Sequence, residues 1–126
     1  MAATTDRSAD VIVVGAGPAG SAAAWQLRQA GREVVVLEKA EFPREKVCGD
    51  GLTPRGVQAL RDIGVDTSPQ AGWVRHKGLR VHGGGVVTEV DWPKLQHWPD
   101  FSLVLRRSEL DARLAAHAAA AGARVH

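Results

Sequence analysis

Val11-Ile12-Val13-Val14-Gly15-Ala16-Gly17-Pro18-Ala19-Gly20 is the stretch on which the fold turns. Four β-branched apolar residues run straight into a glycine, the pattern of a parallel strand buried on both faces. From Pro18 to Ala30 good helix formers dominate, with Pro18 suited to the first turn and Gly31 to the C-terminal cap. Ala23, Leu27 and Ala30 fall on one face of that helix. Val34-Val35-Val36-Leu37 then repeats the buried-strand pattern. Strand, helix and strand joined this closely over residues 10–38 make a right-handed parallel crossover, so the predicted fold class is α/β.

The glycines have separate tasks. Gly15 permits the tight turn from strand to helix, Gly17 presents no side chain to an approaching diphosphate, and Gly20 lets helix and strand pack closely. A helix N-terminus offers free N–H groups and the positive end of its dipole, so the anion needs no basic side chain. Glu38 stands at the end of the second strand, the place of the acid that binds adenosine ribose hydroxyls and repels a 2'-phosphate. A Gly-x-Gly-x-x-Gly turn alone is a weak signal; strand, turn, helix, strand and acid together point to an adenosine diphosphate ligand in a Rossmann-like unit. NAD and FAD both present that group, and the turn does not separate them.

Outward from this unit the pattern changes. Ala40 to Gly51 is rich in charge, proline and glycine and reads as a long loop. Thr53 as N-cap, Pro54 as first residue and Gly64 as C-cap bracket a short helix with Val57, Leu60 and Ile63 inward. Gly78 to Trp92 reads as two strands joined around Gly83-Gly84-Gly85, a hairpin lying off the parallel sheet. After irregular chain at Trp92-Pro93 and Trp98-Pro99, Leu103-Val104-Leu105 is a brief strand. Ser108 to Ala121 is a helix opened by a Ser-x-x-Asp cap, with Leu110, Leu114 and Ala118 inward. Ala121-Gly122-Ala123-Arg124-Val125 repeats the junction Ala30-Gly31-Arg32-Glu33-Val34 that leads into a buried strand. A parallel sheet cut at its third strand is therefore expected, in a chain that is the first part of a longer one.

Composition sets bounds. Sixteen basic and fourteen acidic residues, scattered along the chain, give no sustained field for nucleic acid. The densest basic run, Arg75-His76-Lys77 with Arg80, reads as a solvated face. The single Cys48 excludes an internal disulfide and fits a reducing cytoplasm. Residues 1–9 are polar, expected as a disordered tail, and no apolar run approaches the roughly 18 residues of a membrane span, so any membrane contact is expected to be peripheral, at the inner face. His76, His82, His97, His117 and His126 lack the paired spacing of a zinc site, so no metal is expected. No serine sits in a nucleophile elbow. Trp73, Trp92 and Trp98 either cover a core edge or line an apolar lipid pocket.

Phe42-Pro43-Arg44-Glu45-Lys46-Val47-Cys48-Gly49-Asp50-Gly51-Leu52-Thr53-Pro54, taken with Arg107-Ser108-Glu109-Leu110-Asp111, is more specific than the glycine turn. The combination resembles the geranylgeranyl reductase family, FAD enzymes related to the p-hydroxybenzoate hydroxylase group, and looks most like members that saturate the isoprenoid tail of menaquinone. Related flavin monooxygenases and halogenases carry looser versions of the segment. The resemblance spans almost the whole chain and implies FAD, reduced by NAD(P)H or another donor, with an isoprenoid lipid or quinone as substrate. It implies a site made of Gly15, Gly17, Pro18, Ala19, Gly20, Glu38, Lys39, Arg44, Cys48, Gly49, Asp50, Gly51 and Arg107. Within it Ala19 and Glu38 contact the adenosine part, Cys48, Gly49 and Gly51 run beside the flavin, and Arg107 touches FAD. Read physically, Arg44 or Lys46 either offsets negative charge on the diphosphate or the reduced flavin or is a solvated surface residue, and no catalytic residue is named. Cys48 is a proton donor, a redox thiol or, as most single cysteines are, a packed side chain. The fold implied is a Rossmann-like FAD-binding βαβ over 10–38, a flavin-proximal loop and helix over 39–64, an antiparallel hairpin excursion over 73–105, and a helix with the start of the next strand over 108–126.

Overall fold

The structure, a computed structural model, describes residues 8–126; of the expected tail, residues 1–7 lie outside the described residues. In chain order the elements are β1 (Val11–Val14), α1 (Pro18–Gln29), β2 (Val34–Leu37), β3 (Gly51–Leu52), α2 (Pro54–Asp62), a 3-10 turn (Pro69–Ala71), β4 (Val74–His76), β5 (Gly78–Gly83), β6 (Val86–Asp91), β7 (Ser102–Val104), α3 (Arg107–Ala120) and β8 (Arg124–Val125). They fall into two compact units, one formed by the chain up to Glu45 together with Ser108–His126, the other by Lys46–Arg107.

In the first unit a parallel sheet has the order β1-β2-β8. Val11 to Val14 pair with Val34 to Leu37, and Val35 and Val36 pair with Arg124 and Val125. That register puts Val11, Val13, Val34, Val36 and Val125 on one face, and Val34 and Val36 are fully buried there with Ala16, Ala24, Ala115 and Ala118. Burying two valines this completely contributes about 1.5–3 kcal/mol each.

The other face corrects the expectation of strands covered on both sides. Among the described residues β1 stands at the edge of the sheet, and Ile12 (62% exposed), Val14 (84%) and Leu37 (43%) are open to solvent. The all-apolar runs imply double coverage, whereas among the described residues the helices of this unit cover one face. The inner face of α1 also differs: Ser21 and Ala24 are buried, Leu27 is partly so, and Ala23 and Ala30 are exposed. Alanines at almost every position leave the helix without a marked apolar stripe. The Ser21 hydroxyl escapes an unpaired burial by donating to the Ala16 carbonyl at 3.0 Å.

Both helix-to-strand junctions are as expected. Gly31 (φ +74) and Gly122 (φ +97) take the left-handed conformation that ends a helix cheaply only with glycine, and β8 follows the second of them. The helix α3 starts at Arg107, one residue before the expected range, and buries Leu110, Leu114 and Ala118 together with Asp111 and Ala115.

In the second unit α2 is capped as the sequence indicates. The Thr53 side chain accepts from the Gly56 N–H at 3.4 Å, Pro54 opens the helix, Gly64 has φ +78, and Val57, Leu60 and Ile63 are buried. The hairpin β5–β6 turns at Gly84-Gly85, both at positive φ, with Leu79 opposite Val90 and Arg80 opposite Glu89. It forms a two-stranded sheet of its own. A second small sheet, β3-β7-β4, holds two strands that the sequence did not reveal; Gly51, expected in the loop, begins β3 and pairs with Val104. The strand expected at 103–105 is shifted by one, to Ser102–Val104.

The basic run is a solvated face with its charges answered locally. Lys77 pairs with Asp91, Arg80 with Glu89, and Arg75 with Asp100. Arg75 also lies 3.7 Å over the Phe101 ring.

Candidate functional site

The glycine turn is built by backbone requirements at two positions. Gly15 sits at φ +97, where any other residue would be strained, and its N–H donates to the Leu37 carbonyl at 2.7 Å, tying the turn to the end of β2. Gly20 faces the Gly15 carbonyl so closely that a Cβ there would be driven into it, 3.1 Å from the carbonyl carbon and 3.3 Å from Val13 Cγ1. Gly17 differs: a Cβ there meets only the Arg44 guanidinium, at 3.5 Å, an ordinary contact. Packing therefore does not demand a glycine at this position, in contrast to Gly20.

Gly17 is also the N-cap of α1, and it supplies no side-chain acceptor to the helix. Pro18 has no N–H, so the donors of the first turn are those of Ala19 and Gly20, which lack intrahelical acceptors. N–H groups without intrahelical acceptors and the positive end of a helix dipole make a place for a diphosphate. Ala19 is exposed, and Gly17 and Pro18 are half-buried.

Glu38 closes the turn from the side. Its carboxylate accepts the Ala16 N–H at 2.8 Å and the Ala40 N–H at 3.3 Å, and Arg44 lies 3.5 Å away. Chiefly the Ala16 N–H, against an opposing effect of burial and with help from Arg44 and Ala40, holds this carboxyl below its ordinary value of 4.5. A carboxylate has about four lone-pair sites, so acceptor capacity remains for hydroxyl groups. Because the folded value is depressed, Glu38 stabilises the fold above its unfolded pKa, and that contribution disappears as the pH falls through the folded value. Glu38→Gln is therefore expected to be less stable than the wild type at about pH 7, with the gap closing in urea titrations as the pH falls through the depressed folded value of Glu38. A gap that does not change with pH would contradict the sign.

Arg44 is the surprise of this unit. It lies between two carboxylates, 3.1 Å from Asp111 Oδ2 and 3.5 Å from Glu38 Oε2, and 5.2 Å over the Phe42 ring. Asp111 is completely buried and the Arg44 side chain is only 15% exposed. The arginine expected to answer cofactor charge is thus already answered by the protein, while its Nε is buried with no hydrogen-bond partner. Asp111 was read as half of a helix cap. Its signal was present: an acid at the spacing of Leu114, Ala115 and Ala118 lies on the buried face of α3. Lys39 is exposed.

The remaining site residues lie in the second unit, described by itself. Lys46 to Gly51 are all exposed, Cys48 among them, which corrects the expectation that a single cysteine packs. Asp50 organises this segment. The Asp50 carboxylate accepts the N–H of Arg107, the first residue of α3, at 2.8 Å, and the Asp50 carbonyl accepts from Leu105 at 3.2 Å. An acid at a helix N-terminus meets both the free donors and the dipole. Asp50 thus joins the Cys48-Gly49-Asp50-Gly51 segment to Arg107, residues 57 apart in sequence.

The three tryptophans separate. Trp73 covers the core edge beside α2, 7% exposed, its Nε1 donating to the Asp66 carbonyl at 2.9 Å. Trp92 and Trp98 line a different, apolar cavity.

Comparison with known proteins agrees with this geometry. The FAD binding domain family matches residues 8–126. Menaquinone reductase of Mycobacterium tuberculosis is 50% identical over 97% of this chain, and digeranylgeranylglycerophospholipid reductase 1 of Methanopyrus kandleri is 38% identical over 92%. The chain spans only 29% and 28% of the lengths of those two relatives. Among solved structures, a flavoprotein/dehydrogenase from Cytophaga hutchinsonii superposes with a TM-score of 0.84 at 31% identity, over 95% of this chain and 30% of its own. The glycine turn, acid and crossover are those of an ADP-binding unit, and the match selects the dinucleotide: the chain belongs to the FAD-binding domain family, and its cofactor is FAD.

Proposed function

We propose that this chain holds FAD in an enzyme that reduces carbon–carbon double bonds of an isoprenoid lipid, a menaquinone tail or a geranylgeranyl chain. The observation that carries the reading is 50% identity to a menaquinone reductase along nearly the whole chain, through the Pro43 to Gly51 segment. Bound FAD would supply two-electron chemistry: reduced by a nicotinamide or another donor, it would provide a hydride for one carbon of the double bond, with a proton completing the saturation at the other. The protein's part is binding and orientation. The Ala19 and Gly20 N–H groups would receive the diphosphate beside Gly17, and Glu38 would accept from the ribose hydroxyls. Arg44, held by Asp111, fixes Glu38 in place beside Lys39. By the family pattern Cys48, Gly49, Gly51 and Arg107 would also contact FAD, and within their own unit Asp50 holds that segment to Arg107. The lipid substrate brings the protein to the inner face of the membrane from the cytoplasm.

Two measurements test this. Glu38→Gln in the full-length protein should bind FAD about 10- to 100-fold more weakly, since hydrogen bonds to a charged group contribute about 1.5–3 kcal/mol. An unchanged flavin affinity would remove Glu38 from the site. Incubating the full-length, FAD-loaded protein with a reductant and a menaquinone should yield lipid heavier by two hydrogens for each bond saturated. Oxygen consumption and a hydroxylated product in place of that gain would make it a monooxygenase.

A further inference from the structure

In the second unit a cavity of about 500 Å³ opens between the last turn of α2, the loop that follows it, β4 and β7. Its lining shares no residue with the FAD site described above, and its volume is that of a complete small-molecule site, about 300–1,000 Å³. Two cations meet in it over one aromatic ring. The Arg75 guanidinium lies 3.7 Å from the centre of Phe101 and the Arg61 guanidinium 5.3 Å. Gathering like charges costs Coulomb energy unless anions answer them, and the answer here is incomplete. Asp100 lies 3.5 Å from Arg75 in a pair whose side chains are 62% and 42% exposed, and exposed pairs of that kind contribute little. Among the described residues no carboxylate lies within ion-pair distance of Arg61, whose Nε donates to the neutral Thr67 hydroxyl at 3.1 Å. The acid in the lining, Asp66, already accepts the Ser68 N–H of its own loop at 2.8 Å.

We propose that this cavity binds a phosphate group. A guanidinium stacked on a ring keeps its N–H edge for an acceptor, and that edge matches a pair of phosphate oxygens. Two such edges call for more oxygens and more charge than one carboxylate carries, whereas a phosphate brings three or four oxygens and up to two charges. Thr67 accepts from Arg61 and so keeps its own proton to donate, and Ser68 adds a second hydroxyl to the lining. The proposal does not depend on the reductase reading, because the site is read by binding, without turnover.

The experiment titrates the full-length, FAD-loaded protein with inorganic pyrophosphate in a calorimeter, with flavin fluorescence reporting any cofactor displaced from the glycine turn. One pyrophosphate per chain is expected, with the flavin retained. Arg61→Gln and Arg75→Gln should each weaken that binding about tenfold or more, the value of a hydrogen bond to a charged group. Lys77→Gln removes an exposed cation that pairs with Asp91 outside this lining, and should change it less than about twofold. Sedimentation with phosphatidylglycerol vesicles separates two sources of the group. Vesicle binding lost with Arg61→Gln but kept with Lys77→Gln assigns a lipid headgroup, and pyrophosphate binding without such a loss assigns a soluble phosphate. The site is overturned if neither probe binds except by displacing flavin, or if Lys77→Gln weakens binding as much as the two arginine variants do. Arginine variants that lower the urea midpoint and leave both probes bound would likewise reduce Arg61 to a cation at a helix end.

Discussion

Gly20→Ala is expected to cost about 4 kcal/mol or more in folding free energy and to abolish FAD binding, although it adds one methyl group at a half-buried position. The new Cβ would be driven into the Gly15 carbonyl oxygen and would press on Val13 Cγ1 at 3.3 Å. Neither obstacle is the far end of a flexible side chain. Gly15 is pinned by its φ of +97 and by its N–H bond to Leu37, and Val13 is paired with Val36 in the sheet. Relief requires α1 to lift away from β1, which opens the core at Ala16 and Ala24, both fully buried. Gly17→Ala is the control: its methyl meets only Arg44 Nη2 at 3.5 Å, so urea midpoints should stay near the wild type while flavin affinity falls. Equal stability of Gly20→Ala and wild type in urea titrations, or equal flavin binding by Gly17→Ala, would overturn this division of roles.

The second large effect is expected at Asp111. Asp111→Asn preserves size and shape but leaves the Arg44 guanidinium without the carboxylate 3.1 Å away. Breaking one side of a buried ion pair costs about 3–5 kcal/mol, because the surviving charge stays desolvated. Arg44 keeps a little solvent contact and has Glu38 as a second partner, so the low end, about 3 kcal/mol, is expected. Replacing both partners, as Arg44→Met with Asp111→Leu, should recover most of the loss, since paired hydrophobic replacements of buried ions are often neutral. The recovered double variant should nevertheless bind FAD more weakly, because Glu38 then keeps only the Ala16 and Ala40 N–H groups and loses its cationic partner. A single variant within about 1 kcal/mol of the wild type would show that Glu38 suffices for Arg44.

These two sites also show what a sequence discloses. Gly15, Gly20, Gly31, Thr53, Gly64 and Gly122 were readable because each meets a local demand, a positive φ, a cap or a close approach, that only certain residue types satisfy. Requirements set by distant partners were not readable. The short strands β3 and β4 exist only through their pairing with β7, and nothing in Gly51-Leu52 or Val74–His76 announces that partner. Asp111 was hidden by a plausible local role, and Ala23 was mistaken for Ala24 because alanine fits either side of a helix. In the site itself the ADP half followed from physics, whereas the choice of FAD came from the resemblance carried by Cys48 to Gly51 and Arg107.

The bare side of the parallel sheet, with Ile12, Val14 and Leu37 in water, changes how unfolding of this chain must be observed. Dyes such as ANS brighten on exposed apolar surface and are commonly used to flag loosely packed states. This chain taken by itself presents an aliphatic face to such a dye. Its fluorescence should be high before denaturant is added and fall on unfolding, and a lower native signal from the full-length protein would show that further chain covers Ile12, Val14 and Leu37.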